Sequence, residues 1–188
     1  MIAHLVVVTG PPAGGKTMLA RWLAPALTLP VIGKDDLKVI LYDTLGWGGR
    51  EQDRRVSDAA YELMYHLTEI EMRAGRSLML ESNFRMEAGP RIAALHQRYG
   101  FQPIQIRCWA SREVLVSRLK ARAASGERHL GHADRETVAS ELEGLLASGS
   151  ALSLDGPTIE VETTHPEQID EGALLTAVLS VMGQNTSN

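Results

Sequence analysis

Residues 10 to 17 read Gly10-Pro11-Pro12-Ala13-Gly14-Gly15-Lys16-Thr17: a glycine, four residues, then Gly-Lys-Thr. Phosphate chemistry asks for this spacing. A loop that wraps a phosphate turns its backbone N–H groups inward, and glycines permit the dihedrals and the close approach. A helix starting at the loop's end presents its positive terminus to the anion. Lys16 adds a mobile charge for the β- and γ-phosphates of a nucleoside triphosphate such as ATP, and Thr17 a hydroxyl for Mg²⁺. The apolar strand before the loop and the helix after it separate this motif from an accidental glycine-rich turn.

Carboxylates come next. Gly33-Lys34-Asp35-Asp36-Leu37-Lys38 follows a short apolar segment. At the carboxyl end of a parallel strand such residues face the ligand crevice. Asp35 there can accept the proton of an attacking hydroxyl and orient it in line. It can equally cap the following helix. Leu78-Met79-Leu80-Glu81 has the form of a Walker B strand with Glu in place of Asp. Glu81 is a candidate to hold a Mg²⁺-bound water, to contact Thr17 or to meet the substrate; the plainer alternative is a solvated strand end.

Arg112, Arg118 and Arg122 fall on one expected helix, and Arg118 and Arg122, four residues apart, share a face. A solvated basic face is the plain explanation. Arg128 lies in the polar segment 125 to 133, SGERHLGHA, a candidate lid. His129 and His132 flank Leu130-Gly131; with no cysteine or third histidine nearby, lid hydrogen bonding fits them better than zinc. His66 and His96 lie within helices as surface or packing residues. Trp47, Tyr61 and Tyr65 allow either an acceptor pocket or core packing.

Strand and helix patterns alternate along the whole chain, which points to a parallel sheet covered by helices. Ala3 to Thr9 is nearly continuous and β-branched, as a strand buried on both faces is. Further strands are expected at 30–33, 77–81, 102–109 and 157–162. Helices are expected at 16–27, 35–44, 52–74, 88–99, 111–124 and 134–147, with a last one opening at Thr164 and Pro166 and ending at Gly183. GWGGR at 46 to 50 reads as a glycine loop. The expected organisation is one domain over 1–183 and a frayed tail at 184–188.

The 188 residues carry a net charge of −4, which argues against a general nucleic-acid-coating role. Cys108 is the single cysteine and sits in an apolar stretch. It reads as a buried thiol, with no disulfide framework, in keeping with a reducing compartment. The N-terminus lacks the basic region and cleavage site of a signal peptide, and no apolar run reaches the ~18 residues of a membrane span. A cytoplasmic protein with no membrane association is expected.

The set GPPAGGKT, KDDLK at 34–38, LESNF at 80–84 and an arginine-spaced helix leading into RHLGH at 128–132 resembles the small P-loop kinases. The polynucleotide-kinase-like, zeta-toxin-like and chloramphenicol-phosphotransferase-like groups are the most similar, over residues 3 to 147. The resemblance implies a three-layer P-loop NTPase/kinase fold. Its five-stranded parallel sheet has order 2-3-1-4-5, with helices on both faces and a short lid. It makes Asp35 the general base, and sets Arg118 on the adenine side, Arg122 on the phosphate side and Arg128 on the lid over the nucleotide. Asn83 matches a substrate-side position. The family's Arg-Asp-Asp-x-Arg pattern ends here on Lys38, which keeps the charge but not the bidentate geometry.

The expected function is transfer of the ATP γ-phosphate to a hydroxyl of a small-molecule or nucleotide-like acceptor. Asp35, Lys16 and Arg122 are expected to be catalytic, residues Gly10 to Thr17 with Arg118, Arg122 and Arg128 to bind nucleotide, and Thr17 and Glu81 to serve Mg²⁺. A 5′-hydroxyl nucleic-acid kinase is one alternative, and an ATP-binding switch or ATPase acting on a protein partner is another. A monomer or a homodimer fits either.

Overall fold

The computed structural model describes residues 2–126, 128–132, 143–144, 149 and 151–183. Five parallel strands form one sheet: β1 (His4–Thr9), β2 (Val31–Gly33), β3 (Leu78–Glu81), β4 (Gln102–Trp109) and β5 (Thr158–Glu162). Their order is β2-β3-β1-β4-β5. The helices are α1 (Lys16–Leu27), α2 (Lys34–Leu45), α3 (Gly49–Arg73), α4 (Ala88–Tyr99), α5 (Arg112–Ser125) and α6 (Glu171–Val181).

β1 shows why the sheet is sandwiched. Successive side chains of a strand point to opposite faces. Val6 and Val8 enter one core with Leu19 and Leu23 of α1 and Leu174 and Val178 of α6. Leu5 and Val7 enter the other, with Met64 of α3 and Ile92 of α4. A central strand with both faces covered reads as a continuous apolar run, and Leu5 to Val8 is one. Cys108 lies in the first core; burial raises its thiol pKa to about 12, which makes it inert.

The sequence expectations shift at three boundaries. β2 begins at Val31 and α2 at Lys34, so Lys34 joins the first turn with Asp35 and Asp36. The glycine segment breaks the chain only over residues 46–48, because Gly49 and Arg50 already belong to α3. The last helix does not open at Thr164. Pro166–Gln168 makes one 3-10 turn, and α6 starts at Glu171, where the Asp170 side chain accepts from Ala173 N at 2.9 Å as an N-cap. The helix expected over 134–147 lies, apart from residues 143 and 144, outside the described residues, as do Glu127 and Ala133 of the expected lid and the tail 184–188. Among the described residues no helix is long and apolar enough to cross a membrane.

Candidate active site

β3 lies on one side of β1 and β4 on the other, so the chain switches direction across the sheet at β1. The loop after β1 opens at that switch point, where α/β sheets bind ligands. Its backbone is tightly constrained. Gly10 has φ +142°, and a Cβ there would stand 2.2 Å from Cys108 O. Gly14 N donates to Pro11 O at 3.0 Å, closing a turn. Ala13 (φ +61°) and Gly15 (φ +81°) are left-handed on either side of Gly14, the backbone pattern of an anion nest. A left-handed alanine costs about 1 kcal/mol, a cost found at ligand clamps.

Three contacts brace the loop. Thr163 Oγ1 lies 3.1 Å from both Gly14 O and Trp109 O. Arg118 Nη2 donates to Thr163 O at 2.6 Å, and Arg118 Nη1 reaches Ala13 O at 3.4 Å. Lys16 is buried, and its Nζ donates to Pro11 O at 2.8 Å across the loop. Burial lowers the Lys16 pKa, while Glu81 and Asp35 act to raise it.

The opposite wall comes from β2 and β3. Gly33 pairs with Glu81, and Glu81 with Val8, so the first turn of α2 and the end of β3 meet beside the loop. Thr17 Oγ1 donates to Glu81 Oε2 at 3.1 Å. Burial raises the Glu81 pKa, against Lys16 and the Thr17 hydrogen bond. From α2, Lys34, Asp35 and Lys38 point to this wall. Arg128 donates to Asp35 Oδ2 at 2.5 Å, and Lys34 Nζ lies 3.8 Å from Asp35 Oδ1. Lys38 Nζ donates to Asp53 Oδ1 of α3 at 2.7 Å, and the Tyr42 hydroxyl donates to the same oxygen. His132 Nδ1 lies 3.1 Å from Arg128 Nη2, and His129 stacks on Tyr42 with ring centroids 5.0 Å apart.

Between the two walls lies a cavity of ≈ 570 Å³. It is lined by the loop from Pro12 to Thr17, by Asp35 and Glu81, and by Arg118, Arg122 and Arg128. It thus gathers Pro12 to Thr17 and the three arginines expected at the nucleotide with the carboxylate expected to meet a hydroxyl, while Gly10 and Pro11 are not among its lining residues. The donor set suits a hard divalent cation. A hydroxyl and a carboxylate oxygen, Thr17 Oγ1 and Glu81 Oε2, are already together, and Mg²⁺ at such sites takes one or two protein oxygens beside phosphate and water. Among the described residues no three His, Cys, Asp or Glu side chains converge on a metal position, so His129 and His132 form no such cluster.

Further lining residues were not singled out in the sequence: Lys34, Asp53, Ser57, Ser82 and Arg85. Lys34 and Lys38 had a readable signal, being four apart on the helix that carries Asp35. Asp53, Ser57 and Arg85 had none. Tyr61 lines the cavity, with its hydroxyl 3.1 Å from Ser82 Oγ; Tyr65 packs in the core, and Trp47 is exposed with its ring perpendicular to that of His129, centroids 6.0 Å apart.

The comparisons with known proteins agree with this architecture. The AAA_33 family model, described as an AAA domain, matches residues 5–145. A crystal structure of a candidate kinase from Chloroflexus aurantiacus J-10-fl superimposes with a TM-score of 0.85; it is 42% identical and covers 96% of this chain and 99% of its own. A sugar kinase from Janibacter sp. HTCC2649 has a TM-score of 0.57 at 19% identity, covering 97% and 95%. The Mycobacterium tuberculosis APS kinase CysC, in complex with AMPPNP and APS, has a TM-score of 0.58 at 14% identity, covering 97% and 98%. The latter two are likenesses of fold. No curated protein sequence matches significantly.

Proposed function

We propose, on the premise that this chain belongs to the AAA_33 family of small P-loop kinases, that it transfers the γ-phosphate of ATP to a hydroxyl group of a small molecule. One observation carries the reading: the phosphate loop with Lys16 and the α2 carboxylate Asp35 line the same cavity. An acceptor kinase needs a carboxylate that faces the phosphates from across the cavity and orients the hydroxyl.

The roles follow from position. The loop's backbone and the α1 N-terminus hold the β- and γ-phosphates. Lys16 exchanges its contact with Pro11 O for phosphate oxygens. Arg118, which already touches the loop, lies on the base side, and Arg122 stabilises charge on the transferring group. Thr17 and Glu81 are the residues that would hold Mg²⁺, which supplies charge neutralisation between the phosphates. The acceptor oxygen bonds to the γ-phosphorus as the bond from that phosphorus to the β–γ bridging oxygen breaks. ADP leaves with that electron pair, and the hydroxyl proton passes to Asp35 and on to water.

The electrostatics refine the role of Asp35. Burial raises its pKa, but Lys34, Arg128, His132 and Lys38 together hold it well below the usual carboxylate range. So acidic a group is a weak proton acceptor. In a loose transition state little proton transfer is needed early, and orientation matters more. Asp35 Oδ2 is taken by Arg128, and Oδ1 receives the hydroxyl. Phosphate charge arriving nearby raises the Asp35 pKa when proton transfer is due.

The test is transfer of label from γ-labelled ATP to a panel of hydroxylated small molecules. Acceptor-dependent labelling that disappears in Asp35→Asn is expected. Hydrolysis indifferent to every acceptor, or full transfer by the Asn variant, would sink the reading.

A further inference from the structure

The chain is acidic overall, with a net charge of −4, yet the acceptor side of its cavity collects cations. Lys34, Lys38, Arg85 and Arg128 line it there, against the carboxylates Asp35 and Asp53. Lys38 is paired to Asp53 and Arg128 to Asp35. Lys34 is different. It is only 9% exposed, and its hydrogen-bond partner is the neutral Asn83 Oδ1 at 3.1 Å. Its nearest carboxylate, Asp35 at 3.8 Å, is already held by Arg128.

A buried ammonium is costly unless a counter-charge meets it. Here a second cation stands near it. Lys34 Nζ lies 5.1 Å from the centroid of the Tyr61 ring, and Arg85 Cζ lies 5.2 Å from the same centroid. Two like charges around one ring repel; burial lowers the Lys34 pKa, Asp35 opposes that shift, and Arg85 adds to it. Arg85 keeps a surface partner, Asp58 at 2.6 Å, outside the cavity.

We propose that the acceptor carries an anionic group, a carboxylate, sulfate or phosphate, that seats against Lys34, Asn83 and Arg85 while its hydroxyl meets Asp35. The inference rests on the kinase reading and deepens it by naming the acceptor class. A neutral polyol would leave Lys34 with Asp35, a carboxylate it shares with Arg128, as its nearby counter-charge. An anion there neutralises Lys34 and Arg85 together and fixes the distance from the charged end of the acceptor to the reacting hydroxyl.

The first experiment needs no knowledge of the acceptor. Protein saturated with Mg²⁺ and AMPPNP is titrated with sodium sulfate, against sodium chloride at matched ionic strength, by calorimetry. One saturable sulfate site is expected, weakened about tenfold or more by Lys34→Met and several-fold by Arg85→Ala. Arg85 is half-exposed, so its variant keeps the test alive if Lys34→Met fails to fold. No saturable sulfate site in the nucleotide-loaded protein, or one that survives both substitutions, overturns the proposal. If AMPPNP fails to bind while sulfate binds in a Lys34-dependent way, the kinase reading falls and the anion subsite stands. A second arm offers acceptor pairs matched in carbon skeleton, gluconate with sorbitol and glycerate with glycerol, the acid of each pair carrying a carboxylate where the polyol has a hydroxymethyl group. Preferential labelling of the anionic member is expected; equal or greater labelling of the neutral one overturns the acceptor class.

Discussion

Arg128 donates to Asp35 Oδ2 at 2.5 Å, joining the segment after α5 to the first turn of α2. The pair ties the carboxylate that faces the cavity to a residue 93 positions away. It also fixes which carboxylate oxygen remains for an acceptor. The neighbouring Asp36 is not among the residues that line the cavity.

Asp35→Asn is therefore expected to keep nucleotide binding and to lower phosphoryl transfer by about 10²–10⁴. Its pH behaviour offers a separate check. The folded-state pKa of Asp35 lies below the ordinary 3.8. Such a group contributes stability that is present above that value and is lost as pH falls through the folded pKa. The stability gap between wild type and Asp35→Asn should therefore be constant from pH 7 to about pH 5 and shrink below 3.8. With the side chain 50% exposed, solvent screening keeps the gap under about 1 kcal/mol. Melting temperatures across pH 3 to 7 would show it; a gap that widens on acidification refutes the assigned electrostatics.

Lys16→Ala addresses the other wall. The wild-type ammonium is buried and contacts the loop's own carbonyl, Pro11 O. The variant exchanges a desolvated charge for an unpaired carbonyl, so the nucleotide-free melting temperature should move little. The nucleotide response should collapse. At one hundred times Kd a ligand stabilises by about 2.7 kcal/mol, roughly 5–10 °C for a chain of this size. Differential scanning fluorimetry with Mg²⁺ and AMPPNP should show that shift in wild type and lose most of it in Lys16→Ala.

Much of this was legible in the sequence because its signals are local. The loop motif, the double-faced β1 and the helical spacing of α3 each need only a short window. The strand order came with the family resemblance. The partners of the site's charges were not legible. Arg128 with Asp35 and Arg85 over Tyr61 join elements brought together by the sheet, and Lys38 with Asp53 depends on how α2 and α3 fold back on each other across residues 46–48. The start of α6 was misplaced for a different reason. Thr164 and Pro166 resemble a helix opening, but the Thr164 hydroxyl accepts from Ser111 N at 3.0 Å and Asp170 supplies the actual cap. Both a threonine and an aspartate can cap a helix, and tertiary contacts chose between them.

Glu81→Gln tests the metal assignment. Burial raises the pKa of Glu81, so its charge opposes folding above its ordinary value of 4.5, and the penalty is absent below it. The glutamine variant should gain stability relative to wild type at pH 7 more than at pH 4, since its amide oxygen still accepts from Thr17. Its Mg²⁺ requirement should move the other way, with the half-saturating concentration rising about tenfold or more. An unchanged Mg²⁺ dependence in steady-state transfer would remove Glu81 from the metal's support.

Gly15→Ala tests the loop geometry itself. Gly15 combines φ +81° with a position where a Cβ would stand 3.0 Å from Thr163 Cγ2 and 3.1 Å from Thr163 Cβ. Two costs follow: a left-handed alanine at about 1–2 kcal/mol, and a tight contact that Thr163 resists because its hydroxyl is held between Gly14 O and Trp109 O. The variant should lose about 1–3 kcal/mol of stability and bind nucleotide poorly. Adding Thr163→Ser removes the methyl while keeping the hydroxyl, so the double variant should regain the part due to the Cγ2 contact and none of the part due to the dihedral or to the remaining Cβ contact. Equilibrium denaturation of both variants and of Thr163→Ser alone separates the two costs. Full recovery in the double variant would show that crowding, and not the left-handed backbone, makes glycine necessary at position 15.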